Sequence, residues 1–423
     1  MKFKIKFRYM RKILVLLFSI IISTVSIVKA QVHGTVSGNG TVSGQEWRNQ
    51  VITTAVPFLL IAPDSRIGGM GETGAAILDD ANAQHWNPSK YLFAKNDIGF
   101  SVSYSPWLAG LHVNDIHLLY LSAYFKATKM DAVSFSLRYF SMGTMELTNI
   151  DGSKVLDAHP HEFAVDFAYT RILVEGLSMG ITGRFIYSNL SNWSVTQDIK
   201  PGLAGAADIS LFYTKKFDPK KLYNHNLNLG LNISNIGNKV TYSNSSDKLA
   251  RDFLPANFRL GLAYDMYFNK YNKLTVAFDV NKLLVTSPPI YTYDNGVLVK
   301  GEDGLPTVDK GNGRNPYKTT AATAVFTSWG DAPGGFKEEM KEFILNFGLE
   351  YAYNDLLFLR GGFFNEAKDK GNRRYMTLGV GLKYSVFTID AAYILPVSSR
   401  NSPLENTLRF SLSFEFKKVK GGN

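Results

Sequence analysis

The 423-residue chain contains no cysteine. That excludes a disulfide framework, a c-type haem attachment and any cysteine-ligated zinc site. Long apolar runs are nearly absent as well. The single one, "ILVLLFSIIISTVSIV" at 13–28, follows a basic head of Lys2, Lys4, Lys6, Arg8, Arg11 and Lys12 and precedes Val28-Lys29-Ala30. This is the layout of a secretory signal peptide cleaved near Ala30/Gln31, with an N-terminal membrane anchor as the alternative. No cysteine follows the run, so a lipoprotein anchor is excluded. Beyond residue 30 no run reaches the roughly 18 apolar residues of a membrane-spanning helix. Acidic residues are scarcer than basic ones, 36 against 46, but seven of the 46 lie in the first 30 positions, which leaves 39 against 36. The basic excess belongs mainly to the export segment, and nucleic acid is not expected as a partner.

What the chain has is aromatic residues, 13% of the total with 29 Phe and 22 Tyr, at a mean hydropathy of −0.07. From about residue 97 to the end they alternate with polar residues. In "NLNLGLNIS" (226–234) Leu227, Leu229, Leu231 and Ile233 share one face, and "LRFSLSFEF" (408–416) repeats the pattern. A period of two denotes strands with one apolar and one polar face. Fourteen such segments are predicted, near 98–104, 118–126, 131–140, 161–171, 177–188, 204–214, 225–235, 255–266, 272–282, 342–353, 356–365, 375–384, 386–394 and 407–417. Most approach the roughly 9–11 residues that cross a bilayer at a tilt.

Two features favour a transmembrane barrel over a soluble sandwich. The polar phase holds the charges: Arg138, Asp166, Arg184, Asp208, Arg259, Asp265, Asp279, Glu350, Arg360, Asp390, Arg409 and Glu415. A basic residue facing lipid at the midplane costs about 2–4 kcal/mol, whereas a wet bore lets the two signs pair. Tyr139, Tyr169, Tyr187, Tyr213, Tyr264, Tyr351, Tyr384 and Tyr393 close segments as an interfacial girdle does. Connections after even-numbered strands are short and those after odd ones are longer, culminating in the loop 283–341. Outer-membrane barrels have this asymmetry, with tight periplasmic turns and long outer loops. The fold class is therefore all-β, a 14-stranded antiparallel transmembrane barrel in the outer membrane of a Gram-negative bacterium. It spans 97–417, after a flexible lead-in (31–50) and a separate segment (51–96), and ends in a basic tail (418–423).

That segment contains "RIGGMGETGAAILDDANAQHWNPSK" (66–90). A phosphate cradle requires a preceding strand, a following helix and a Lys-Ser/Thr, all missing around Gly68, Gly69 and Gly71. His85 with Asp79 and Asp80 lacks a second histidine at metal-ligand spacing, so a satisfied structural residue is the better reading. Glycines permit tight turns, Ala75, Ala76, Ala81 and Ala83 pack closely, Asp79 or Asp80 caps a short helical turn, and Asn87-Pro88 ends it. The expectation is a plug folded into the bore, with Arg66 among its polar contacts. No catalytic constellation is present, and neither a cofactor nor a metal is expected. His159-Pro-His161 is better read as solvated loop histidines than as a metal site. On the outer side, "SPWLAGLHV" (105–113) presents Trp107, Leu108 and Leu111, apolar groups that either serve a protein partner or dip into the outer leaflet. "SWGDAPGGFKEEMKEF" (328–343) joins Trp329 and the turn Pro333-Gly334-Gly335 to Phe336, Met340 and Phe343 at helical spacing. It is read as a lid, a docking element or a loop packing on its neighbours.

The glycine-rich segment with "DDANAQHWNPS" resembles the N-terminal hatch of FadL-type outer-membrane barrels. "PFLLIAPDSRIGGMGETG", "QHWNPSKY", "YSPWLAGL", "FDVNKLLV" and "SWGDAPGGFKEEMKEF" together resemble the PorV (LptO) family of the Bacteroidetes type IX secretion system. The resemblance implies a hatch-plugged barrel without enzymatic activity, in contact with outer-membrane lipid. Its partners would be the type IX translocon barrel, secreted cargo bearing a C-terminal sorting domain, and the cell-surface attachment machinery, met at the two outer-loop patches. The alternative is a FadL-type transporter of hydrophobic small molecules.

Overall fold

A computed structural model describes residues 51–108, 115–149, 151–190, 200–217, 225–244, 248–294, 297–309, 313–397 and 407–418. Fourteen strands close one antiparallel barrel. They are β1 (Ile98–Pro106), β2 (Ile116–Lys126), β3 (Asp131–Met142), β4 (His161–Val174), β5 (Leu177–Asn189), β6 (Gly202–Lys216), β7 (Asn226–Gly237), β8 (Asn257–Tyr267), β9 (Asn272–Leu283), β10 (Ile344–Tyr353), β11 (Leu357–Asn365), β12 (Arg374–Tyr384), β13 (Phe387–Pro396) and β14 (Leu408–Phe416). Each strand pairs with its neighbour in sequence, and Ile98↔Phe416 through Tyr104↔Phe410 join β1 to β14. All fourteen alternating segments are barrel strands.

The alternation sets the two surfaces. Phe100, Leu121, Phe167, Ile181, Leu262 and Phe410 point outward and are exposed, as the wall of a barrel in lipid requires. Serine, threonine and charged residues of the other phase are buried inside: Ser101, Ser136, Asp166, Thr182, Asn228, Asp279, Glu350 and Arg409. No helix among the described residues is long and apolar enough to cross a membrane.

Pairing slips at Ala207/Ile209, between β6 and β7. The extra residue falls on β7, where Asn235 is held at φ 60° and donates its N–H to the inward-facing Asp208 at 2.7 Å. Side chains thus fill the one gap in the ladder on that seam.

Three two-stranded hairpins stand outside the ring: Met145–Thr148 with Lys154–Ala158, Val240–Thr241 with Arg251–Asp252, and Tyr293–Asp294 with Val297–Leu298. They lie in the longer, outer connections. The 284–343 connection also carries α3 (Ala321–Thr327) and α4 (Phe336–Glu339), whereas α1 (Ser65–Gly68) and α2 (Ala83–Trp86) precede the barrel.

Candidate functional site

Residues 51–96 pack against the inward-facing side chains of the barrel, and polar groups dominate the contact. Asp64 is the hinge of this packing. One carboxylate oxygen accepts the Ile67 N–H at 2.8 Å and caps α1. The other accepts the Trp86 indole N–H at 2.7 Å, so the glycine-rich half and the "HWNPSK" half are tied together. The Trp86 ring in turn carries the Arg259 guanidinium 4.7 Å from its centroid, a cation–π contact away from bulk water.

Ion clusters on the strands hold the segment. Glu350 on β10 receives Arg66 Nε and Nη2, both at 3.0 Å, and Arg360 Nε at 2.8 Å. Arg360 continues to Asp390 at 2.6 Å. Asp279 accepts the backbone N–H groups of Gly74 and Ala75 at 2.9 and 3.0 Å. Arg138 donates to the carbonyls of Leu59 at 2.6 Å and Phe58 at 3.2 Å. Arg409 meets Glu72 at 3.2 Å. A fifth group, Arg184 between Asp166 (2.6 Å) and Asp208 (3.0 Å), ties three strands to one another. Paired and hydrogen-bonded, these charges are tolerated in a closed interior; unpaired, each would cost several kcal/mol.

The motif residues fall as follows. Gly68 ends α1 and Gly69 caps it, while Gly71, at φ 65°, takes a left-handed turn. An added Cβ on Gly71 would sit 2.6 Å from the Phe347 carbonyl oxygen, so only glycine fits against the wall. Asp79 turns at φ 54° and accepts the Lys95 N–H at 2.7 Å. The cap position of α2 is Asn82, without a side-chain bond. Asp80 instead accepts the Asn82 N–H at 2.9 Å, forming the turn that precedes the helix, and faces Lys90 at 3.6 Å. Asn87 ends α2 and donates to Ala75 O at 3.1 Å and to Leu211 O of β6 at 2.9 Å. Pro88 then opens a 3-10 turn. Ala75, Ala76, Ala81 and Ala83 are all buried. His85 places Nδ1 2.5 Å from an Arg138 nitrogen. Burial and the surrounding arginines hold its pKa well below the ordinary value, and a neutral ring that accepts from a guanidinium has no electrostatic use for a cation. No group of metal-binding side chains occurs among the described residues. Asp64, Trp86 and Lys90 were not singled out from the sequence, and Arg138 was placed only on the bore-facing phase, because alternation shows which face a residue takes and not what it meets there.

Two cavities flank this packing. One, of about 560 Å³, lies at the short-turn end beside Asp79, Lys95, Lys273, Asp355 and Lys383. The other, of about 390 Å³, lies toward the outer loops, with Pro57, Leu60, Ile61 and Trp107 on one side and Glu72, Tyr375 and Arg409 on another. Trp107 is therefore half-buried against the apolar cluster of Phe58, Leu59, Leu118 and Phe140. Leu108 is half-exposed at φ 57°, and Leu111 lies outside the described residues.

The 328–343 stretch is held from its acidic side. Lys282 is met by Glu339 and Glu342, both at 2.6 Å; Lys370 is met by Glu338 and Glu342, both at 2.8 Å. Gly334 donates its N–H to Glu338 at 2.7 Å, Gly335 opens α4 at φ 70°, and Pro333 is half-buried. Trp329 and Phe336 are exposed.

Asp331 adds a carboxylate beside this network. Burial, with Glu342 and Glu339 nearby, pushes its pKa up to about 6. An acid whose folded pKa is raised destabilises the folded arrangement above that pKa and ceases to do so as pH falls toward the free value of about 3.9. Hydrogen exchange in 328–343, corrected for intrinsic rates, should accordingly be slower at about pH 5 than at about pH 7.5. Asp331→Asn should flatten that difference; an unchanged pH dependence in the variant would exclude Asp331 as its source.

Solved structures similar to this one include the Pseudomonas putida toluene transporter TodX (11% identity, 84% of this chain and 98% of that one, TM-score 0.47). Others are the Ralstonia pickettii toluene transporter TbuX (12%, 84% and 98%, TM-score 0.42) and a Pseudomonas aeruginosa FadL homologue (10%, 87% and 100%, TM-score 0.39). No curated protein matches the chain. The profile of the family described as type IX secretion system protein PorV matches residues 44–290, more than half of the sequence. The chain belongs to the PorV family of type IX secretion system proteins, and its fourteen strands form an outer-membrane β-barrel.

Proposed function

We propose that this barrel is a non-enzymatic binding subunit. It engages the translocon barrel and cargo bearing a C-terminal sorting domain at its outer loops, and passes the cargo toward the cell-surface attachment machinery. The export signal at 1–30 delivers it, and residues 51–96 act as a hatch that plugs the bore. The observation that carries the reading is the hydrogen-bonded packing of that segment against the inner wall, from Ser411 of β14 (2.9 Å from Ser65 N) to Leu211 of β6. A bore so occupied offers no wide path to a folded protein, which leaves the outer surface for partners. Leu108 and the 328–336 stretch, with Trp329, Pro333, Gly334, Gly335 and Phe336, are the described parts of that surface; Leu111 completes the first patch in sequence.

A FadL-type transporter is the second reading, favoured by the outer cavity and its apolar wall. One experiment separates the two. In cells lacking this chain, extracellular sorting-domain cargo should fall to background and return on complementation, while uptake of a long-chain fatty acid stays level. Normal cargo export with defective uptake would reverse the assignment.

A further inference from the structure

The 321–343 segment is amphipathic in an inverted sense. Its acidic side chains Glu338, Glu339 and Glu342 are buried on lysines, whereas Phe326 and Phe336 are each 80% exposed and Met340 50%. The lysine they cover explains the arrangement. Lys282 has the same parity along β9 as the outward-facing Phe278 and Val280, yet its side chain is fully buried. Uncovered, it would sit on the outside of the wall. Glu339 and Glu342 reach it there, and its ammonium also lies 5.5 Å from the Phe343 ring centroid. The segment therefore clasps the outer rim, with Trp329 on the outward rows of β8 and β10 and Glu342 lining the cavity at the mouth of the bore.

Aromatic contacts make the join continuous. Trp329 packs edge-on against Phe258 at 5.1 Å and near Phe343 at 6.3 Å. Phe258 heads the outward row Leu260, Leu262 and Tyr264 on β8, and Phe343 leads into Leu345, Phe347 and Leu349 on β10. The Trp329 indole N–H is satisfied by Val325 O at 3.1 Å, so the ring presents apolar surface. On the other side of α3, Ala321 and Ala324 pack against Phe253 and Val285, which leaves Phe326 outward. Lys337 is exposed beside Phe336, and Lys341 is ion-paired with Asp369 beside Met340.

We propose that this segment is a foot resting in the outer leaflet: Phe326, Phe336 and Met340 enter the boundary between headgroups and acyl chains, and Lys337 lies at the level of the lipid phosphates. Aromatic and aliphatic side chains next to lysine, on an element whose polar side is already satisfied by protein, have the composition of interfacial membrane contacts. The occupant is lipid because Trp329, within the same segment, joins the outward-facing rows of β8 and β10. The consequence for docking is a division of labour. Of the outer-loop residues proposed above to meet partners, Trp329 and Phe336 are thereby reassigned to the leaflet, and Leu108 and the Pro333–Gly335 turn remain for a protein partner.

The lack of cysteine makes the test clean. Phe326→Cys and Phe336→Cys, each in the full chain and spin-labelled, are reconstituted in bilayers of phosphatidylethanolamine and phosphatidylglycerol, with Phe278→Cys as the lipid reference and Lys300→Cys as the solvent reference. Both sites are exposed, so neither substitution removes core packing. Collision with oxygen relative to a water-soluble nickel chelate should rise several-fold over the Lys300 value, toward that at Phe278. A ratio equal to that at Lys300 would place the side chains in water and overturn the proposal. A label shielded from both reagents would mean protein covers the patch, and would overturn it equally.

Discussion

Gly362→Val should raise the ionic conductance of the barrel. Gly362 lies on β11 facing inward, and an added Cβ would stand 2.0 Å from the backbone nitrogen of Gly71 and 2.2 Å from the carbonyl carbon of Met70. Neither is the far end of a flexible side chain, so backbone must move. The strand is held by ladder bonds on both sides, whereas the Gly71 turn is held on the wall by a bond from its N–H to Thr377 at 2.9 Å. The turn is the weaker party and gives way. The neighbouring Gly361 provides the control: its side points outward, and an added Cβ meets nothing nearer than 3.9 Å. In planar bilayers the Gly362 variant should show large steps of ionic current, whereas Gly361→Val stays near the baseline of the intact chain. Equal, small conductance in both variants would contradict the plug.

Glu350→Ala should cost the most stability of any single truncation in the bore. Glu350 is fully buried and joins Arg66 to Arg360, with Lys273 at 4.0 Å. Its removal strands Arg66 in the interior, because the other hydrogen-bond partners of that guanidinium are the carbonyls of Leu78 and Asp79. Arg360 retains Asp390. Breaking a buried pair from one side costs about 3–5 kcal/mol. Denaturant titration in lipid should show the midpoint fall accordingly. Glu350→Gln, which keeps the shape and one acceptor, should lose less. A midpoint unchanged by the alanine would mean the cluster is screened by water and contributes little.

The wall was the legible part of this protein. Alternation located all fourteen strands because a membrane barrel imposes one rule on every residue of every strand, apolar outside and polar inside. Residues such as Asp166, Arg184 and Glu350 announced the bore by their phase. The hairpins in the outer loops did not show: Met145–Thr148 and Lys154–Ala158 are largely exposed on both faces, so no period marks them. Within 51–96, glycines and alanines signalled close packing, but the bond from Trp86 to Asp64 spans 22 positions and leaves no spacing signal. The stretch 336–343 showed its helical period, yet the inward face is acidic and the apolar face is exposed. The usual rule fails there because the surface beneath offers lysines, Lys282 and Lys370, with which the acidic face pairs.

The packing of the front segment also constrains biosynthesis. Ser65 is bonded to Ser411, 346 positions later, and Arg66 to Glu350, 284 positions later. These amino acids leave the ribosome early, and their neighbours emerge only near the end. The front segment can therefore reach its final contacts only after β10 and β14 have been made, late in the synthesis of the chain.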